Sequence, residues 1–451
     1  MSETKRDIAT GQLVDFVHDL DSAMLPGAVQ HECVRALLDA IGCAVGGARH
    51  EIVERAHGAL REFSGPLTTS LLGRAERTDL LHAALINGLA GAAYSFFDTY
   101  SDALLHPSGP ITVALLAVAE RKRVSGAEFL AAFAAGIEVA CRLTKMAVLP
   151  PAEGNVSWSQ SGVVDGIAAA LAAGRLLGLR HDQLRWSLGI AASEAAGTRV
   201  EHGSMAASLI FGRAAQSGLR AALLAEKGFT SSASAIEDRH GFASVFSNKP
   251  NLGALVDGLG GHFELSRNTY KPFPTGVVVH PAIDVMLRLK KEHLFDGGEV
   301  RGIDLHVTQN AVTFGSRPQP ANDLEAKFSI QHWVAAAAMT GRAGIREGAP
   351  EVVLDPEIVR LRSATRVEAD PSLSPYSARL AVELADGRRL ESLVAHCVGS
   401  PEAPMSDQEL ETKFVDQCEP VIGRPRSEAL AEMCWRIGEL ADAAELAQAA
   451  C

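Results

Sequence analysis

Apolar positions recur at helical spacing through most of the first 260 residues and at strand spacing only beyond residue 300. Residues 126–143, GAEFLAAFAAGIEVACRL, are apolar on most faces. Residues 163–179 are mostly Ala, Leu, Val, Ile and Gly, with Asp165 and Arg175 as their only charges. Helices apolar almost all round belong between other helices. A third helix is predicted over 210–227, stopped by Gly228, a residue suited to the left-handed position past a helix end. Then the period changes. Ile303, Leu305 and Val307 alternate with Asp304, His306 and Thr308, and Ala378, Leu380, Val382 and Leu384 alternate again. Asp386-Gly387 supplies a hairpin turn, and 390–398 is the expected returning strand. Helices are expected over 282–293 and 330–340, and from Asp407 the chain turns helical again, closing in one helix over 427–450. The pattern predicts a mainly α fold. A large all-helical domain is built from both chain ends, residues 1–265 and 400–451, with a smaller α+β domain, 266–399, inserted between them.

The length, 451 residues, suits two or three domains. Aromatic residues make up only 5%, while Ala and Gly abound, which favours closely packed helices. A net charge of -12 argues against nucleic acid as the main partner, because neutralising phosphates needs clustered Lys and Arg. It does not exclude an anionic small molecule in a locally positive cleft. The seven cysteines, Cys33, Cys43, Cys141, Cys397, Cys418, Cys434 and Cys451, are scattered and lack a C-x-x-C pair. Reduced thiols in the cytoplasm are the expectation. The opening residues lack the apolar run of a signal peptide, and no stretch reads as a membrane span. No G-x-x-x-x-G-K-[ST], H-E-x-x-H or G-x-S-x-G occurs, and Gly258-Leu259-Gly260-Gly261 reads as a loop.

Four segments gather groups able to do chemistry. The first runs from Asn87-Gly88 through Ser95-Phe96-Phe97-Asp98-Thr99-Tyr100-Ser101-Asp102 to His106-Pro107-Ser108-Gly109. Its histidine is the side chain best placed for proton transfer near neutral pH. By residue type alone, solvated acids and a histidine capping a helix start are the preferred account. The second is Arg199-Val200-Glu201-His202-Gly203-Ser204-Met205, where the amides of a helix start could hold a carboxylate, or where a loop simply ends in a capping serine. In the third, Tyr270-Lys271-Pro272-Phe273-Pro274-Thr275-Gly276 followed by His280-Pro281, prolines stiffen a loop around a lysine. Buried, that lysine transfers protons; exposed, it is an ordinary surface cation. The fourth, Glu325-Ala326-Lys327-Phe328-Ser329-Ile330-Gln331-His332-Trp333, reads as an amphipathic helix start.

Taken together, these segments resemble the MmgE/PrpD family in the family's own order. The matching pieces are NG with an aromatic-and-acid segment and HPSG; GIEVACRL; SGVVDGIAAALAAGRLLGL; GSM with GRAAQSGLRAALLAEKGFT; YKPFPTGVVVHPAIDV; EAKFSIQHWVAAAAMTGR; and VGSPEAPMSDQELETKF. The resemblance implies a homodimer that works without a metal or organic cofactor on a small di- or tricarboxylate. It implies proton transfer next to a carboxylate or related group, followed by elimination, decarboxylation or reprotonation. Carried over, it makes His106, Lys271, Asp98 and His280 the catalytic candidates. Tyr100, Ser159, Arg199, His202 and Ser204 are the substrate-binding candidates, and no residue is expected to bind metal. The departures are specific. The first two acids of the family's D-F-D-D pattern are Ser95 and Phe97. The histidine of a W-H-x-T-like segment is Ser159, and the lysine and histidine of T-K-P-L-H are Ala207 and Ile210. The expected activity is a lyase of dehydratase or decarboxylase type. An epimerase of a dicarboxylate or an inactive dimeric homologue are the alternatives.

Overall fold

The computed structural model describes residues 8–147 and 157–451. It is 59% helical, with small sheets only. The helices of the larger domain include Gly27–Gly46, Leu80–Ala92, Ser108–Arg121, Gly126–Met146, Gln160–Leu177 and Ala206–Glu226. Local sequence sets their ends. Ser125 and Glu128 close a capping box before Gly126, and Gly178, at φ 78°, ends the Gln160–Leu177 helix. The third predicted helix spans Ala206–Glu226, two residues short of Gly228. Small residues let the backbones close up. A Cβ on Gly88 would stand 2.7 Å from the Cα of Gly212, so only glycine permits the crossing of those two helices. Their apolar faces share one core with the chain's C-terminal helices, which contribute Leu410, Phe414, Leu430 and Ala431. Lys413 adds a buried tie, its Nζ 2.6 Å from the Asp39 carboxylate on the Gly27–Gly46 helix.

The smaller domain has a core of its own, around Val285, Met286, Ile303, Leu305, Trp333 and Leu380. Its four-stranded sheet runs Thr365–Ala369, Val300–Val307, Ala378–Leu384, Arg389–Val394 in spatial order. The first pair is parallel and the other two antiparallel, with Leu305 opposite Val367 on one side and Leu380 on the other. Helices His280–His293 and Ile330–Thr340 pack beside it. The protein is thus a mainly α fold, its helical domain drawn from both chain ends, with an inserted α+β domain.

Three expectations need correction. The predicted closing helix over 427–450 is broken into Arg424–Trp435, a 3-10 turn Ile437–Glu439 and Ala444–Ala449. Here the backbone of Leu440 accepts from Gly126 N–H and Ala443 N–H donates to Val124, so tertiary bonds replace helical ones. The returning strand stops at Val394, four residues early. Helical succession ends at Glu226 rather than near 260. The following Gly- and Ser-rich stretch is mostly turns, with one short helix, Phe242–Phe246. Its later part is held down by buried Arg142, which donates to the carbonyls of Leu255, Asp257 and His262 while pairing with Glu138.

No helix among the described residues is long and apolar enough to cross a membrane. All seven cysteines are unpaired.

Candidate active site

Two loops, 170 residues apart in sequence, are stitched together by a two-residue antiparallel pair. Thr99 lies opposite Thr269, and Tyr100 opposite Asn268. The first loop leads from Ser95 to His106, the second straight into Lys271. The Thr269 hydroxyl donates to the Thr99 carbonyl at 2.8 Å, and the Asn268 amide donates to the Asp98 carboxylate at the same distance. Behind the second loop, Gly399 at φ 82° lies against Tyr270 and Pro272. A Cβ there would come within 2.6 Å of the Tyr270 carbonyl oxygen, which explains the glycine.

His106 and Lys271 both line a cleft where the two domains meet, enclosing about 1070 Å³ including its mouth. Ser159, Arg199, His202 and Ser204 line it too, together with Ser95, Lys327 and an apolar wall that includes Phe97, Ile210, Phe211, Val278, Leu324 and Phe328. No Asp or Glu among the described residues lines it, although the chain as a whole is acidic. Two lining residues, Ser95 (φ 54°) and Leu104 (φ 50°), hold left-handed backbone conformations, the kind of local strain that surrounding structure must impose.

The tautomer of His106 follows from its partners. Nδ1 lies 2.7 Å from the Asp98 carbonyl oxygen, which can only accept, so Nδ1 carries the proton and Nε2 is bare. Burial, then the nearby Lys271 charge, holds the imidazole neutral, well below its ordinary range. Lys271 is buried, and its Nζ donates to the Ser95 carbonyl at 2.8 Å. Burial, followed by the charge of Lys413, lowers its ammonium to about 7. Lys327 donates to the Ala93 carbonyl, two residues before Ser95, and burial lowers it to about 8. Arg199 is engaged by the Trp158 carbonyl at 3.1 Å and by the Gln160 side chain, with Phe314 under its guanidinium at 5.7 Å. His202 stacks on Phe328 at 4.8 Å, and burial, then Arg199, keeps it neutral, at about 4. Ser159 caps the Gln160–Leu177 helix by accepting from Gly162 N–H, and exposed Ser204 bonds back to Glu201.

Three expected site residues lie outside this cleft. The Tyr100 hydroxyl is 2.5 Å from the Glu264 carboxylate in the interior, where a phenol must find a partner. Asp98 is fully buried behind His106. Its carboxylate accepts from Ser108 Oγ at 2.6 Å and from Asn268, while its carbonyl, not its acid, holds the histidine. Burial, then Asp39, pushes its carboxyl up to about 7. His280 lines a smaller adjoining cavity with Thr99, Lys271 and Tyr376; burial, then Lys271, lowers it to about 3. In the other direction, Lys327 lies in the fourth segment, where the sequence favours an amphipathic helix start over a site. Only its place inside EAKFSIQHW, one of the matching pieces, pointed to it. Among the described residues, the one His/Asp group compact enough for an ion is His18, Asp19 and His181, none of which lines the cleft.

The chemistry available is proton exchange between Lys271 and a carbon acid beside an unprotonated His106, in a pocket biased toward anions. Residues 11–254 match the MmgE/PrpD N-terminal domain and residues 273–437 the MmgE/PrpD C-terminal domain. Cis-aconitate decarboxylase of Homo sapiens is 25% identical over 97% of this chain and 93% of its own length. The Mus musculus protein of the same name is 25% identical over 97% and 92%. The cis-aconitate decarboxylase-like protein oryM of Aspergillus oryzae is 24% identical over 97% and 96%. These relatives are lyases by name, and with both of the family's domains matched in order along one chain, this protein belongs to the MmgE/PrpD family.

Proposed function

We propose that the chain is a cofactor-independent lyase that moves a proton at the carbon next to the carboxylate of a small substrate. The observation that carries this reading is the lining itself: His106, Lys271, Lys327 and Arg199 face one cleft with no acid among its described lining residues. A buried carboxylate needs paired donors, and an ammonium retains three N–H groups, of which each lysine spends at least one on a backbone carbonyl. Near pH 7 both forms of Lys271 are populated, the condition under which one group takes and returns a proton efficiently. In elimination, the neutral Lys271 amine removes the proton, and Lys327 stabilises the charge delocalised toward the carboxylate. The electron pair then forms the carbon–carbon double bond as a β-hydroxyl departs, leaving as water with the proton returned by the Lys271 ammonium. In decarboxylation, the carbon left by departing CO₂ takes its proton from the ammonium form. His106, fixed by the Asp98 carbonyl, offers Nε2 to a substrate O–H. The relatives' printed activity, decarboxylation, supports this class of reaction.

The test is solvent-deuterium incorporation into a panel of small carboxylates, followed by NMR. Incorporation that disappears in Lys271→Met and falls in His106→Ala is the expected result. No exchange by the wild-type protein into any member would overturn the reading in favour of a non-catalytic binding protein.

A further inference from the structure

The cleft is not polar throughout, and its two faces differ in what they can hold. On one face, the ammonium groups of Lys271 and Lys327 are anchored to carbonyls two residues apart, those of Ser95 and Ala93. The third cation, Arg199, is already held by the Trp158 carbonyl and the Gln160 side chain. His202 stacks flat on Phe328, 2° from parallel, and is neutral. Among the described lining residues, Lys271 and Lys327 thus carry the cationic face, with Arg199 partly engaged by protein acceptors, while the opposite face has no cation to meet a further carboxylate. On the other face, Phe97 and Phe211 pack at 5.1 Å, with Phe211 6.1 Å from the His106 ring. Phe97 is fixed from behind: a Cβ on Gly91 or Gly109 would come within 2.8 or 2.9 Å of its ring, so both glycines are cut away to seat it. Ile210 continues this wall against Gly162 and Gly197, and the small side chain of Ala207 also lines the cleft. A fully charged ligand would leave this apolar surface covered by its carboxylates, with no donors to meet them.

Resting on the lyase reading above, we infer that the substrate is a mono- or dicarboxylate bearing an aryl or branched-alkyl substituent. Its acid group sits at Lys271 and Lys327, and its apolar group lies on the Phe97–Ile210–Phe211 wall. His106 and Lys271 then flank the carbon joining the two parts. Burying an aryl group on a preformed apolar wall raises affinity by at least about tenfold.

Calorimetric titration of the full chain with succinate, phenylsuccinate and propane-1,2,3-tricarboxylate tests this. Phenylsuccinate is expected to bind at least tenfold more tightly than succinate, and the tricarboxylate no more tightly than succinate. Phe211→Ala should erase the phenylsuccinate advantage and leave succinate affinity within threefold, while Phe211→Leu should keep most of it. If Phe211→Ala does not fold, Ala207→Lys, which adds a cation to the cleft lining, should invert the order in favour of the tricarboxylate. Tightest binding by the tricarboxylate or by succinate in the wild-type protein would overturn the inference and leave the carboxylate lyase reading standing. Binding of none of the three would overturn both.

Discussion

Lys271→Met should make the protein more stable at pH 6 while abolishing its chemistry. The amine is buried, and lowering an ammonium from 10.5 to about 7 means that folding opposes its charged form by about 5 kcal/mol. The unfolded chain binds the proton up to about pH 10.5 and the folded chain only up to about 7. Between those values the unfolded state carries more protons, so wild-type stability climbs with pH across that window. Below pH 7 the full penalty is present. Methionine removes the penalty and fills similar space, but it leaves the Ser95 carbonyl without its donor, which costs about 1–3 kcal/mol. The difference is a variant about 2–4 kcal/mol more stable than wild type at pH 6 and, with about 0.8 kcal/mol of the penalty still present at pH 10, about 0–2 kcal/mol less stable there. Denaturant unfolding of both proteins at the two pH values measures it, and proton exchange should fall about 10²–10⁴-fold in parallel. A stability difference of the same sign and size at both pH values would show that Lys271 is not held against its charge, and the acid–base argument would go with it.

Other expectations concern the groups around it. Lys327→Met should raise KM for a carboxylate substrate about 10–100-fold with a smaller change in kcat, since a charge-assisted hydrogen bond contributes about 1.5–3 kcal/mol. In the wild-type enzyme, kcat/KM for an elimination or for proton exchange should rise with pH through about 7 as Lys271 becomes neutral and able to accept a proton, whereas for a decarboxylation, which uses the ammonium form, it should fall. Converting the buried pair together, Asp39→Asn with Lys413→Met, should move that midpoint upward, because Lys413 is the charge that most depresses Lys271; an unmoved profile would assign the titration elsewhere. Lys413→Met alone should cost about 3–5 kcal/mol in denaturant unfolding by leaving Asp39 buried and unpaired. Gly126→Ala should cost about 1–3 kcal/mol or more, since its Cβ would sit 1.6 Å from the Ile437 carbonyl oxygen and force the C-terminal turn away.

Much of the architecture was legible because the helices are apolar enough to declare their period, and the central hairpin carries both alternation and an Asp-Gly turn. The strand Thr365–Ala369 was not legible. It is an edge strand of sequence TRVEA with no buried residue, so it shows no alternation of apolar side chains. The break near Ile437 was hidden for another reason: the Ala-rich local sequence favours helix, and tertiary bonds with Gly126 and Val124 interrupt it. Within the site, His106 and Lys271 are singled out by the resemblance to the MmgE/PrpD family, since residue type alone favours a histidine at a helix start and a surface lysine. Asp98 was picked for its acid, whereas its carbonyl does the holding, a distinction no sequence displays. Tyr100 was misplaced because strand alternation turns it inward toward Glu264, 164 residues away. Lys327 was passed over because a lysine at an amphipathic helix start is ordinary until a neighbouring domain buries it.

The short pairing of Thr99–Tyr100 with Asn268–Thr269 has a mechanical corollary. It acts as a staple carrying both the imidazole and the amine, whereas Val278, Leu324 and Phe328 across the cleft belong to the inserted domain. Asn268, Thr269 and Lys271 open the inserted segment but are tied by this pairing to the helical domain, so a swing hinged beyond Lys271 would widen or narrow the entrance and shift Lys327 without parting His106 from Lys271. Entry and exit of a ligand can then be gated at one jaw while the proton-handling pair keeps its spacing on the other.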